Sequence, residues 1–286
     1  MSVSLFVGTA AGLHRVDDGH TELAGRQVNA LAGGWAVVEG RGVWHDGAWV
    51  AENIAPVATC ILPVDDGALV GTAEGHLVRV PAGERLASFD NAPGRDDWYT
   101  PWDGPADVRS MAAGPDGTLY VNVHVGGILR SDDAGATWAP TLDIDLDVHQ
   151  VVVAPDGTVL AACARGLATS TDRGATWAVV DDGLAATYAR AVAVAGDTVL
   201  LSVSTGPDGH RAAVYRRPLA GGAPFRRTSI GLPGTLPGNV DTFCLVAEGD
   251  LAALGTFAGR VYLSDDAGGS WATVAAGPPV TCLSFA

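Results

Sequence analysis

One eight-residue pattern occurs three times in this chain: Ser131-Asp-Asp-Ala-Gly-Ala-Thr-Trp138, Ser170-Thr-Asp-Arg-Gly-Ala-Thr-Trp177 and Ser264-Asp-Asp-Ala-Gly-Gly-Ser-Trp271. The shared form is S-x-D-x-G-x-[ST]-W. Each residue type suits a tight turn between two strands. The Asp carboxylate accepts backbone N–H groups of its own turn. The Gly adopts positive φ without steric cost. The hydroxyl closes a second local bond, and the Trp buries a large ring between neighbouring sheets. The first two copies start 39 residues apart, at 131 and 170, and the third starts 94 residues later, at 264, close to two repeats. A decayed copy is expected near Arg216 to Phe225. Arg15 to Thr21 keeps the Asp, Gly and Thr, and weaker turns lie at Val43 to Trp49 and Arg79 to Gly83. Seven turns in 286 residues give a period of about 41, the size of one propeller blade.

The apolar runs keep the same count. Each repeat opens with one: Val28 to Ala32, Val57 to Val64, Val108 to Ala113, Val148 to Ala154, Ala189 to Ala195, Val240 to Ala247 and Val280 to Ala286. Most then turn through an Asp-Gly or Gly-Asp corner into a second strand. The N-terminus begins at a second strand, Ser4 to Thr9, so its missing first strand is Val280 to Ala286. The reading is an all-β, seven-bladed β-propeller over residues 1–286, closed by pairing the C-terminal strand with the N-terminal blade. Such closure removes a free sheet edge.

The three segments resemble the Asp box, or BNR repeat, of sialidases and many other propellers. The resemblance implies a sialidase-like or photosystem II assembly factor-like superfamily. Sialidases of this fold use an arginine triad, a Tyr–Glu pair and an acidic Asp, and Arg109 and Arg190 stand where two triad members are sought. The N-terminal Phe/Tyr-Arg-Ile-Pro motif is missing, and Phe225-Arg226-Arg227 lies in the wrong place. None of the six Glu pairs clearly with Tyr99 or Tyr188. True sialidase chemistry is therefore not expected.

Composition narrows the partners. The formal net charge of -15 repels phosphate backbones and anionic headgroups, so neither nucleic acid nor membrane is expected. All 17 basic residues are arginine, which excludes lysine Schiff-base chemistry. No cofactor is expected. Cys60, Cys163, Cys244 and Cys282 form no C-x-x-C pair; three of them lie in apolar runs, where cysteine acts as a small hydrophobe. The first residues show neither a basic n-region nor a long apolar h-region, and no apolar stretch is long enough to span a bilayer. The expectation is a cytoplasmic protein.

In the expected register the S-x-D-x-G turns and Asp-Gly corners share one face. The other face carries the loops into each inner strand, where propeller ligands usually meet the channel. The second residue of each inner run is Asn29, Ala58, Arg109, His149, Arg190, Asp241 or Thr281. A polar ring thus tops an apolar interior. Arg109 and Arg190 suit a carboxylate or phosphate. His149 is the expected acid or base, with Asp241 orienting it. The longest insertion, Ala87 to Asp107, adds Trp98, Tyr99 and Trp102 beside Asp96, Asp97 and Asp103, a mixture suited to sugars or to a lid. Tyr188 and His124 complete the expected ligand-binding set. A glycosidase version would pair Asp241 with Asp96, Asp97 or Asp103. Leu142 to His149 alternates as an extended segment, and residues two apart on a strand rarely converge on one ion, so no metal is expected there.

Two functions follow. The first is binding of a small polar or anionic ligand, a sugar or carboxylate, at the channel mouth, with hydrolase or lyase chemistry possible. The second is a non-catalytic protein-interaction scaffold similar to the photosystem II assembly factor. A loop at 87–107 lying over the channel favours the pocket; one splayed outward favours a protein partner.

Overall fold

The computed structural model describes residues 3–100 and 104–286. Among them, seven four-stranded antiparallel sheets stand in a ring as the blades of a β-propeller. We number the blades by their second strands from the N-terminus. The inner strand of blade 1 is Val280–Phe285; those of blades 2 to 7 are Val28–Ala32, Ala58–Val64, Asp107–Ala113, Val148–Val153, Tyr188–Ala195 and Leu245–Glu248. The expected closure is present. Val280–Phe285 pairs with Leu5–Thr9, with Leu5 opposite Phe285 and Val7 opposite Leu283. Ser4 and Ala286 exchange both backbone hydrogen bonds, at 2.9 and 3.0 Å.

Inner and second strands are buried on both faces, which is why they read as continuous apolar runs rather than alternating ones. The core lies between adjacent blades. One cluster joins Leu200 of blade 6, Leu254 and Tyr262 of blade 7, and Leu283 of blade 1. Each such side chain contributes about 1.5–3 kcal/mol by leaving water. All four cysteines are free and buried. Burial pushes the Cys60 and Cys282 thiols up to about 12, so they act as apolar filler. Among the described residues, no helix is long and apolar enough to cross a membrane.

The three S-x-D-x-G turns share one hydrogen-bond pattern. In blade 4, Ser131 Oγ donates to Asp133 Oδ1 at 2.8 Å and accepts from Gly135 N at 2.8 Å. The other side of the Asp133 carboxylate accepts from Thr137 Oγ1 at 2.6 Å. Blades 5 and 7 repeat this through Ser170, Asp172 and Thr176, and through Ser264, Asp266 and Ser270. Trp138 and Trp271 are buried against the preceding blade, where their indole N–H groups reach Ser88 and Thr228. The decayed turns fall where the spacing places them, between the third and fourth strands of blades 1, 2, 3 and 6.

A second repeated device was not foreseen. In blades 1 to 6 the ladder between inner and second strand slips by one residue at the same level. The residues left out of the pairing are Thr281, Asn29, Thr59, Arg109, His149 and Arg190. A bulge re-aims one side chain and bends the strand. This corrects the expected ring at one place: in blade 3, Ala58 pairs with Thr72 and is buried, and Thr59 takes the ring position.

Two further expectations are corrected. The inner strand of blade 7 begins at Leu245, not Val240. Residues 241–244 instead form a turn, in which Cys244 N donates to the Asp241 carbonyl at 2.9 Å and Phe243 adopts φ 67°. Leu142 to His149 is not extended throughout, because Ile144–Leu146 is a 3-10 turn capped by the Asp143 side chain. The alternation of Asp with apolar residues fits that turn as well as a strand, since Asp caps turns readily.

Candidate functional site at the channel mouth

The blade 7 turn reaches across the channel. Asp241 accepts from Arg109 Nη2 of blade 4 at 3.1 Å and from Arg190 Nη1 of blade 6 at 3.1 Å. Thr242 Oγ1 accepts from Arg109 Nε at 3.3 Å and donates to the His149 carbonyl at 3.0 Å. Phe243 packs on the apolar clusters of blades 1 to 4 and also lines the cavity at the mouth. That cavity of about 350 Å³ is lined by Asn29, Thr59, Asp107, Arg109, Asp241, Thr242, Phe257 and Thr281, among others. Asn29 Oδ1 is already engaged by Gly40 N at 2.8 Å.

The expected ring is therefore split into two levels. Arg109, Arg190, Asp241, Asn29 and Thr281 gather at the mouth. His149 does not: its side chain has 0% exposure and is packed between His124 of blade 4 and Tyr188 of blade 6, with Nδ1 2.6 Å from the Ala189 carbonyl. Asp241 does not orient His149, because the Asp241 carboxylate is held by the two arginines. The expected acid–base pair is thus separated by the bulge direction. Burial pushes the His149 imidazole below its ordinary range, and Arg109 adds to the push against the pull of Asp147.

His149 belongs to a second constellation. His124, at the end of the second strand of blade 4, is buried with its ring centroid 5.5 Å from that of His149. The Tyr188 ring lies 4.8 Å from His149 on the other side, and the Arg190 guanidinium stands 5.8 Å from the Tyr188 ring centre. Asp147 faces both histidines, with Oδ1 2.9 Å from His124 Nε2 and Oδ2 3.5 Å from His149 Nε2. Burial pushes the Asp147 carboxyl up, but the two imidazoles outweigh this and hold it well below the ordinary carboxylate range.

The 87–107 insertion packs on the rim. Phe89 of the short helix Ala87–Asp90 is fully buried in the blade 3–4 core. Trp98 packs 5.6 Å from Phe89, with the Arg95 guanidinium 4.8 Å from its ring centre. Arg95 is tied to the Gly75 and Glu74 carbonyls. Tyr99 exchanges both backbone hydrogen bonds with Val125 and keeps an exposed ring. Neither Trp98 nor Tyr99 lines the cavity, and Asp96 and Asp97 sit on the 3-10 turn Arg95–Asp97 away from it. Trp102 and Asp103 lie outside the described residues.

Sequence reading missed Thr59, Asp107, Thr242, Phe243 and Phe257. Thr59 carried a signal, being a polar residue in an apolar run one place from the expected register. Asp107 opens the inner strand of blade 4, and Thr242, Phe243 and Phe257 lie in connecting segments, whose course no local pattern sets.

No protein-family model matches the chain, and no curated protein matches it in sequence. Its fold is shared with solved structures. YCF48 bound to D1 peptide superposes with a TM-score of 0.59 at 15% identity, over 92% of this chain and 87% of that one. The GH74 xyloglucanase of Xanthomonas campestris gives 0.63 at 17%, over 95% of this chain but 47% of that one. The RRP9 WD40 repeats give 0.66 at 13%, over 98% and 88%. At these identities the likeness is one of fold.

Proposed function

We propose that this Asp-box propeller is a non-catalytic protein-interaction scaffold that receives an extended segment of a partner protein across the channel mouth. One observation carries the reading. Three exposed apolar side chains, Phe257 at 76%, Val57 at 47% and Tyr99 at 46%, stand on the loops of the mouth face, around a polar floor already held together internally. Of the other exposed large apolar residues, Trp49, Val179 and Val274 are scattered over outer strands, Ile230 bridges to Ser270 in the blade 7 turn, and Val3 precedes the first strand. Apolar anchors around a polar floor suit a peptide, whose backbone needs hydrogen bonds and whose side chains need apolar contact. That YCF48 has been seen with a peptide supports a peptide over a sugar as the occupant.

The test is selection of peptides from a displayed random library on the immobilised protein. Enriched peptides are expected to lose binding to Phe257→Ser and Arg109→Ala but not to Val274→Ser on the outer strand of blade 7. Equal binding to all three variants overturns the reading.

A small anion is the second reading, and Asp241 favours it. Its side chain is 51% exposed, and it fills the place between two guanidinium groups that an external carboxylate would take. Any hydrolase or lyase chemistry there would proceed without His149. A thermal shift with carboxylates, phosphates or sugars that vanishes in Arg109→Ala would support this reading over the scaffold.

A further inference from the structure

We infer that His124, Asp147 and His149 form a binding site for a first-row divalent cation of the zinc type, between blades 4 and 5. One donor atom from each residue lies within 4.8 Å of the other two. They come from three different backbone settings. His124 ends a strand, Asp147 precedes the inner strand of blade 5 in a left-handed conformation with φ 50°, and His149 is the bulge residue of that strand. No contiguous motif produces this grouping; the ring does.

The proton on His149 decides the argument. Its Nδ1 lies 2.6 Å from the Ala189 carbonyl, and a carbonyl only accepts, so Nδ1 carries the hydrogen. Nε2 then presents a lone pair. That atom is buried and makes no hydrogen bond among the described residues, yet it faces Asp147 Oδ2 at 3.5 Å. Two acceptors thus face each other across 3.5 Å, the His149 one fully buried, which is unfavourable unless something positive lies between them. A metal ion satisfies both atoms. It also accounts for the contact to Ala189, because metal-binding histidines commonly donate their other N–H to a carbonyl or carboxylate. Asp147 Oδ1 lies 2.9 Å from His124 Nε2.

The donor set selects the ion. Two imidazoles and one carboxylate suit zinc or iron(II), whereas calcium and magnesium favour all-oxygen shells. Donors about 2.0–2.2 Å from a tetrahedral ion stand about 3.3 Å apart. The present separations of 2.9 and 3.5 Å bracket that value. Three protein ligands leave a fourth position for water or an exogenous ligand. Asp147, with 28% of its side chain exposed, provides the way in. The site also adjoins the mouth, since Asp107 lines the cavity and its Oδ1 lies 3.9 Å from His124 Nδ1.

The experiment uses tag-free protein, stripped with a chelator and titrated with Co²⁺, then Zn²⁺. The expected result is one Co²⁺ per chain with visible d–d absorption, displaced by Zn²⁺, and a melting temperature raised by several degrees in Zn²⁺. Asp147→Asn is nearly isosteric and part-exposed, so it keeps the fold. It should weaken Co²⁺ binding by at least about tenfold and abolish the absorption band, with circular dichroism unchanged. His149→Gln should do the same. No Co²⁺ uptake by the wild-type chain at micromolar concentration, or unchanged uptake in Asp147→Asn, overturns the inference.

Discussion

The two faces of the ring are built by opposite means. On the turn face, each S-x-D-x-G turn satisfies itself: the bonds among Ser131, Asp133, Gly135 and Thr137 each span two or four residues, and two further turns repeat the pattern. On the mouth face the bonds are long-range. Asp241 meets arginines 132 and 51 residues away, and Thr242 meets His149 across 93. Local bonds form wherever the hairpin forms, so they stabilise the blades one by one. Long-range bonds exist only once the ring has closed. The turn face thus adds bonds to the next blade, such as Trp138 to Ser88 and Trp271 to Thr228, to its local ones, whereas the mouth face depends on bonds across the ring.

The contrast can be broken at several points. Trp138→Ala empties a buried site between blades 3 and 4 and should cost about 3–5 kcal/mol, read by denaturant unfolding. A loss under 1 kcal/mol would show that the turn does not anchor the blade pair. Ser131→Ala removes a buried hydroxyl that both donates and accepts, and should cost about 1–3 kcal/mol. Asp241→Ala frees two part-exposed guanidinium groups and should cost only about 1 kcal/mol. If Asp241→Ala proves as costly as Trp138→Ala, the mouth is structural after all. Phe257→Ser should leave the melting temperature unchanged while removing peptide binding.

Acid provides the finest comparison. The Asp133, Asp172 and Asp266 carboxyls are lowered from 3.8 to about 2. For Asp133 and Asp172 the main cause is the Thr hydroxyl at the far end of the turn; for Asp266 it is the Ser270 backbone N–H. A carboxyl lowered by folding stabilises the protein above its unfolded value and loses that contribution as pH falls through the folded one. Stability from these turns should thus fade between about pH 4 and pH 2. The triple variant with Asn at all three positions should show a shallower fall in melting temperature over that window. Parallel curves would mean that the turns do not set the acid response.

Much of the fold was legible because its signals are local. The Ser, Asp, Gly and Trp of each turn sit at fixed offsets, the period of about 41 follows from their positions, and the odd apolar run at the C-terminus required a partner at the N-terminus. The site was legible only in part. Arg109 and Arg190 sit at inner-strand positions, whereas Asp241 reaches them from a turn before the blade 7 strand rather than from the strand itself. Thr59 was missed by one residue, because a bulge shifts the ladder without changing the apolar pattern.

What the sequence alone determined is the seven-bladed ring and its closure, since both rest on hydrogen bonds and apolar faces repeated within each blade. What only the tertiary structure decided is which way each ring residue points. The bulge at His149 turns its imidazole away from the mouth toward Ala189, Asp147 and His124, and the turn at Asp241 carries a carboxylate across the channel to two arginines. Those directions depend on contacts between blades far apart in the chain, and no local pattern encodes them.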